Sequence, residues 1–87
     1  IRNQAKMPTI LDLYTTSHCH LCEQAEALLI EVRHAHHFNY NMIEIADNED
    51  LLAIYGEKIP VLRNQATLQE LCWPFDKNSI YKLINEI

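Results

Sequence analysis

Cys19-His20-Leu21-Cys22 is the constellation in this sequence whose residue types and spacing suit covalent chemistry. The thiolate is the nucleophilic form of cysteine, and on a helix a second thiol three residues on lies one turn deeper on the same side. From there it can attack a mixed disulfide on the first sulfur and release a reduced product. Cys19 is therefore the expected nucleophile and Cys22 its resolving partner. His18 and His20 flank the nucleophile, and a protonated imidazole at either position would stabilise the anion or hand a proton to a leaving thiol. Plain solvated loop histidines would fit the same positions. Two other readings of the pair stay open: half of a zinc or iron-sulfur site, and thiols that merely persist. A structural zinc site takes four ligands, usually as two spaced pairs, and no second pair accompanies this one. His34, His36 and His37 are spaced so that they do not converge on one ion, and a solvated helix end accounts for them.

The elements that must position the pair can be read outward from it. Thr9–Tyr14 is an apolar run with one charge, long enough for a strand and too short for a helix. After four small polar residues, Leu21, Ala25, Leu28, Leu29 and Val32 recur at steps of three and four, which predicts a helix with one buried stripe. The cysteines thus fall at the mouth of that helix, where backbone N–H groups lack intrahelical partners and the dipole favours an anion. Phe38–Ile45 is a second strand whose apolar residues switch parity: Phe38, Tyr40 and Met42 on one face, Ile43 and Ile45 on the other. A strand covered on both faces allows that switch. Asp47 or Asn48 opens a short helix carrying Leu51, Leu52 and Tyr55, and Gly56 is expected to end it in a left-handed conformation. Val61-Leu62 and Ala66–Leu71 are read as a hairpin around Arg63-Asn64-Gln65, with Asn64 at the tight turn. Asp76 caps a last helix with Ile80, Leu83, Ile84 and Ile87 on one stripe. The order is βαβαββα, an α/β chain with a four-stranded mixed sheet flanked by helices. The right-handed crossover makes the first two strands parallel.

The chain of 87 residues, 48% hydrophobic and 22% charged, has room for one core and one domain, spanning 1–87. Residues 1–7 are expected to be a flexible or appended tail before or at Met7. Seven basic against twelve acidic residues give a net charge of −5, which repels a phosphate backbone and argues against nucleic acid as a partner. No apolar run approaches the roughly 18 residues that span a bilayer, so a soluble protein without membrane contact is expected. Three cysteines do not make the even framework of a stapled secreted domain, and a reducing, cytoplasmic setting fits them.

Lys58-Ile59-Pro60-Val61 opens a strand on a proline, which has no N–H to give and belongs at an edge or bend. A cis bond there would free the Ile59 backbone to pair with an extended substrate, though the residues alone leave the isomer open. Taken together, Leu13–Cys22, Tyr55–Leu62 and Trp73-Pro74-Phe75-Asp76 resemble the small stand-alone glutaredoxin-like proteins of the thioredoxin superfamily, over nearly the whole chain. The resemblance implies a thioredoxin fold with Pro60 cis and facing the cysteines, and disulfide exchange with protein or glutathione disulfides. It also implies that Asp76 can meet the amino group of a glutathione γ-glutamyl arm, beside its plain role as a cap. Glutaredoxins proper carry Pro-Tyr between the cysteines, a Gly-Gly pair before the last helix and a basic residue before the first cysteine. This chain has His20-Leu21, Leu71-Cys72-Trp73-Pro74 and Ser17-His18 there. These departures favour dithiol chemistry over a strong glutathione site.

The expected activity is that of a monomeric thiol-disulfide oxidoreductase with catalytic Cys19, Cys22 and His20, and with His18, Ile59, Pro60 and Asp76 on the substrate. It needs no bound cofactor, and glutathione is a possible co-substrate. The alternatives are a metal- or cluster-binding module and a catalytically idle adaptor. Cys72 is expected to be a small buried residue near the site.

Overall fold

The computed structural model describes residues 8–85; the tail at 1–7 and Ile87 of the last apolar stripe lie outside that range. The elements run β1 (Ile10–Thr15), α1 (His20–Arg33), β2 (Asn39–Glu44), α2 (Glu49–Tyr55), β3 (Val61–Asn64), β4 (Glu70–Cys72) and α3 (Lys77–Ile84). The sheet order is β2-β1-β3-β4, with β1 and β2 parallel and the other two pairs antiparallel. A mixed four-stranded α/β sheet in βαβαββα order is therefore what the sequence builds.

Two apolar clusters hold the sheet, one on each face. Leu11 and Leu13 of β1, Ala25, Leu29 and Val32 of α1, and Ile80, Leu83 and Ile84 of α3 form the larger one. Tyr14, Ile45, Tyr55 and Val61 form the smaller. Each fully buried leucine contributes about 1.5–3 kcal/mol relative to exposure, so β1, with Leu11 and Leu13 both at 0% exposure, anchors the larger cluster. The parity switch in the second strand now has its cause: Phe38 and Tyr40 join the larger cluster, Ile43 and Ile45 the smaller. Met42 joins neither and stays 43% exposed.

Four expectations need correction. Leu21 is not in the α1 stripe but 46% exposed; Cys22, one residue on, faces the core in its place. Gly56 is right-handed, with φ −52°, because the chain continues in a tight turn in which the Lys58 and Ile59 N–H groups both donate to the Tyr55 carbonyl. The glycine is needed for space instead, since a Cβ there would sit 2.5 Å from the Leu52 carbonyl oxygen. In the hairpin, Arg63 and Asn64 belong to β3, β4 starts only at Glu70, and the left-handed residue is Leu68, φ 67°. Asn64 is buried and organises the turn with its side chain: Oδ1 accepts from the Ala66 and Thr67 N–H groups, and Nδ2 donates to the Leu83 carbonyl at 2.9 Å. Finally, Cys72 is exposed, because β4 is an edge strand with a neighbour on one side only.

At the sheet end where β1 and β2 begin, Pro8, Thr9, His36, Phe38, Ile84 and Asn85 border an open cavity of about 610 Å³. The His36 ring, from the histidine tract after α1, lies 4.6 Å from that of Tyr81.

Candidate active site

The site is built at the other end of the sheet, where β1 stops. Thr15 is the last strand residue, and His18 takes a left-handed conformation, φ 59°, that reverses the chain into α1. Cys19 then serves as the N-cap of α1. Its backbone is extended (φ −109°, ψ 104°), its carbonyl accepts from the Glu23 N–H, and its Sγ accepts from the Cys22 N–H at 3.1 Å. Serine or aspartate would ordinarily supply that acceptor. A sulfur in the same place is bonded to an orphan N–H at the positive end of the helix, and both effects favour its anion.

Cys19 and Cys22 are disulfide-bonded with their Cα atoms 5.2 Å apart. Cys22 is 2% exposed, held in the core-facing stripe of α1 with Ala25 and Leu29, whereas Cys19 is partly exposed. The pair is therefore asymmetric, with one sulfur at the surface and its partner behind it.

A shallow groove of about 230 Å³ opens onto the pair, lined by the Thr15–His18 loop, both cysteines, Glu23, Glu26, Met42 and Glu44. Glu44 ties the loop down: Oε1 accepts from the Ser17 hydroxyl at 3.3 Å and Oε2 from the Ala46 N–H at 3.0 Å. The Ala46 N–H first, and then the Thr16 and Ser17 side chains, hold its carboxyl below the usual carboxylate range. Glu26 accepts from the Tyr40 hydroxyl at 3.2 Å, and burial together with that carboxylate pushes the Tyr40 phenol up. Sequence reasoning missed Glu23, Glu26, Met42 and Glu44 as groove residues. The parallel register pairs Glu44 with Thr15, so locating it requires knowing the strand alignment.

The structure disperses the remaining candidates. His18 lines the groove. His20 points outward, its side chain 92% exposed and Nδ1 3.8 Å from a Glu23 carboxylate oxygen. Pro60 follows a cis Ile59–Pro60 bond and is buried. The pairing of Tyr14 with Val61 puts it at the same sheet end as the cysteines, and its carbonyl accepts from the Trp73 N–H. The Ile59 N–H is already given to the Tyr55 carbonyl at 3.1 Å, so any pairing with an extended substrate falls to the Ile59 carbonyl. Asp76 caps α3, with Oδ1 accepting from the Ser79 N–H at 2.9 Å and from its hydroxyl. Those bonds hold its carboxyl low. Trp73 and Phe75 meet edge to face and pack on the larger core cluster; the Trp73–Pro74 bond is a second cis peptide, which the sequence reading did not anticipate.

A central β1 leading into a helix capped by the first cysteine of a Cys-x-x-Cys pair, with a proline opening the antiparallel β3, defines a thioredoxin-like fold. Residues 10–85 match the family model described as Glutaredoxin-like domain (DUF836), and the chain belongs to that family. Among the solved structures that resemble it are the solution structure of protein Ne2328 from Nitrosomonas europaea and the X-ray structure of target protein XcR50 from X. campestris. Ne2328 is 32% identical, with a TM-score of 0.79, over 97% of this chain and 99% of the other. XcR50 is 37% identical, with a TM-score of 0.69, over 80% of this chain and 88% of the other. No curated protein matches the chain.

Proposed function

We propose that the protein is a thiol-disulfide oxidoreductase that reduces protein disulfides, and more weakly glutathione mixed disulfides, through Cys19 and Cys22. The observation that carries this reading is the asymmetry of the pair: Cys19 partly exposed and N–H-bonded at a helix mouth, Cys22 behind it at 2% exposure and in disulfide geometry with it. The family membership supports a redox thiol role.

In the reduced protein the Cys19 thiolate attacks one sulfur of a substrate disulfide. An enzyme–substrate S–S bond forms, the substrate S–S bond breaks, and the leaving thiolate takes a proton. Cys22 then loses its proton and attacks Cys19 Sγ, forming the Cys19–Cys22 bond and expelling the second substrate thiol. Two electrons pass from the enzyme dithiol to the substrate, and two thiols of a donor restore the dithiol. His18, on the groove wall, is the nearer candidate for supplying the proton to the leaving thiolate. His20, exposed and turned toward Glu23, acts through its charge alone. The reading needs no bound cofactor, and a monomer in a reducing cytoplasm suffices for it. Among the described residues no helix is long and apolar enough to cross a membrane.

The test is reduction of insulin and of a peptide–glutathione mixed disulfide, with glutathione plus its reductase compared against thioredoxin reductase as donor. Turnover of insulin with either donor supports the reading. No reduction of either substrate by the pre-reduced protein would overturn it in favour of an adaptor.

A further inference from the structure

The walls of the cysteine groove carry one sign of charge. Glu23, Glu26 and Glu44 line it, and among the described residues that do so His18 is the only one able to become positive. The close donors to Glu26 and Glu44 are neutral, namely the Tyr40 and Ser17 hydroxyls and the Ala46 N–H; the Arg33 guanidinium, 5.5 Å from the centre of the Tyr40 ring and outside the groove lining, offsets part of the Glu26 charge from behind and leaves that of Glu23 and Glu44 in place. Glu23 has only the exposed imidazole of His20 at 3.8 Å. A carboxylate cluster alone would say little. Here a disulfide lies in the same groove, so a substrate sulfur attacked by Cys19 has to enter between these side chains.

Resting on the reductase reading above, we propose that the groove selects polypeptide disulfides whose cysteines are flanked by lysine or arginine, and discriminates against anionic disulfides such as that of glutathione. A glutathionyl unit brings two carboxylates and one ammonium into a groove whose fixed charges are carboxylates. A lysine or arginine beside the substrate cysteine meets Glu23 and Glu26 with its charge, and its aliphatic stem lies against Met42, which is 43% exposed on the groove wall. The same cation stabilises the thiolate that leaves when the Cys19–substrate bond forms, which speeds its departure. The exchange is the two-electron transfer already written, with the donor thiols closing the cycle.

Three peptides, each closed by one disulfide and identical except for Lys, Ser or Glu beside the cysteines, are mixed with the pre-reduced protein. Each rate is divided by that of dithiothreitol with the same peptide, which removes the peptide's own reactivity. At low ionic strength the normalised rate of the Lys peptide should exceed that of the Glu peptide by about tenfold or more. In about 1 M salt, where the Debye length falls to roughly 3 Å, the gap should largely close. The double variant Glu23→Gln, Glu26→Gln should narrow the ratio at low salt, and Glu23→Lys, at an exposed position, should narrow it further. Equal normalised rates for the Lys and Glu peptides would overturn the charge selection and leave the reductase standing. Failure to reduce any of the three would remove both.

Discussion

At the scale of single residues, the chemistry of Cys19 is set by two opposed influences. Its bond from the Cys22 N–H, with the helix end behind it, favours the thiolate; a hydrogen bond to a charged group contributes about 1.5–3 kcal/mol. The groove carboxylates disfavour the thiolate, but Glu23 and Glu44 are exposed and screened, and the half-buried Glu26 is engaged by the Tyr40 hydroxyl. The nearer influence prevails. In the reduced protein Cys19 should alkylate first, with an apparent pKa below the ordinary thiol value of about 8.5, as iodoacetamide labelling across a pH series would show. Preferential labelling of Cys22 would reverse the assigned roles. Substitution separates the two half-reactions. Cys22→Ser should accumulate a covalent complex with a protein disulfide and lose nearly all insulin turnover, while retaining only slow deglutathionylation, in which a second glutathione resolves the intermediate. Cys19→Ser should abolish both activities. Near wild-type deglutathionylation by Cys22→Ser would move the protein toward glutathione chemistry.

At the scale of elements, the turns and caps carry the tests. Gly56→Ala would ordinarily gain about 1 kcal/mol of helix propensity at the end of α2. The new Cβ would meet the Leu52 carbonyl at 2.5 Å, an overlap of the kind that costs about 1–3 kcal/mol, so a lower denaturant midpoint is expected. Because α2 carries Tyr55, whose ring stacks on Tyr14 at 4.2 Å, the loss should also loosen the sheet end that bears the site. Asp76 gives α3 a pH dependence. Its carboxyl is held below the ordinary 3.8 first by the Ser79 N–H and then by the Ser79 hydroxyl. A depressed folded-state value means that the cap stabilises fully above the unfolded value and is lost as pH falls through the folded one. Asp76→Asn, which keeps the acceptor, should flatten the acid limb of a stability-against-pH curve below about pH 4 and leave neutral stability nearly unchanged. What the sequence made legible at this scale was local. The cysteine pair, the α1 periodicity, and the Asn48 and Asp76 caps are all decided within one or two turns of chain. The hairpin was misread because Asn64 is held by Leu83, nineteen residues away, and because a leucine, not a usual turn former, takes the left-handed position. Glu23, Glu26, Met42 and Glu44 were invisible as groove residues because only the parallel register and the helix orientation bring them to the cysteines.

At the scale of the whole molecule, β1 is the hinge of the design: it pairs on both sides, supplies buried residues to both clusters and ends where the cysteines begin. The two ends of the described chain, Pro8 and Asn85, border one cavity at the opposite end of the sheet. Pro8 and Asn85 themselves thus lie on the side away from the groove, and as attachment points they are equivalent in that respect. The domain is suited to tethering. A bulky fluorescent protein fused at one end, at the other, or at both should leave the rate of peptide disulfide reduction unaltered, whereas the same cargo inserted at the Ser17-His18 turn should suppress it. A redox reporter or an immobilised catalyst built on this chain can accordingly be anchored from either end with its working face turned outward.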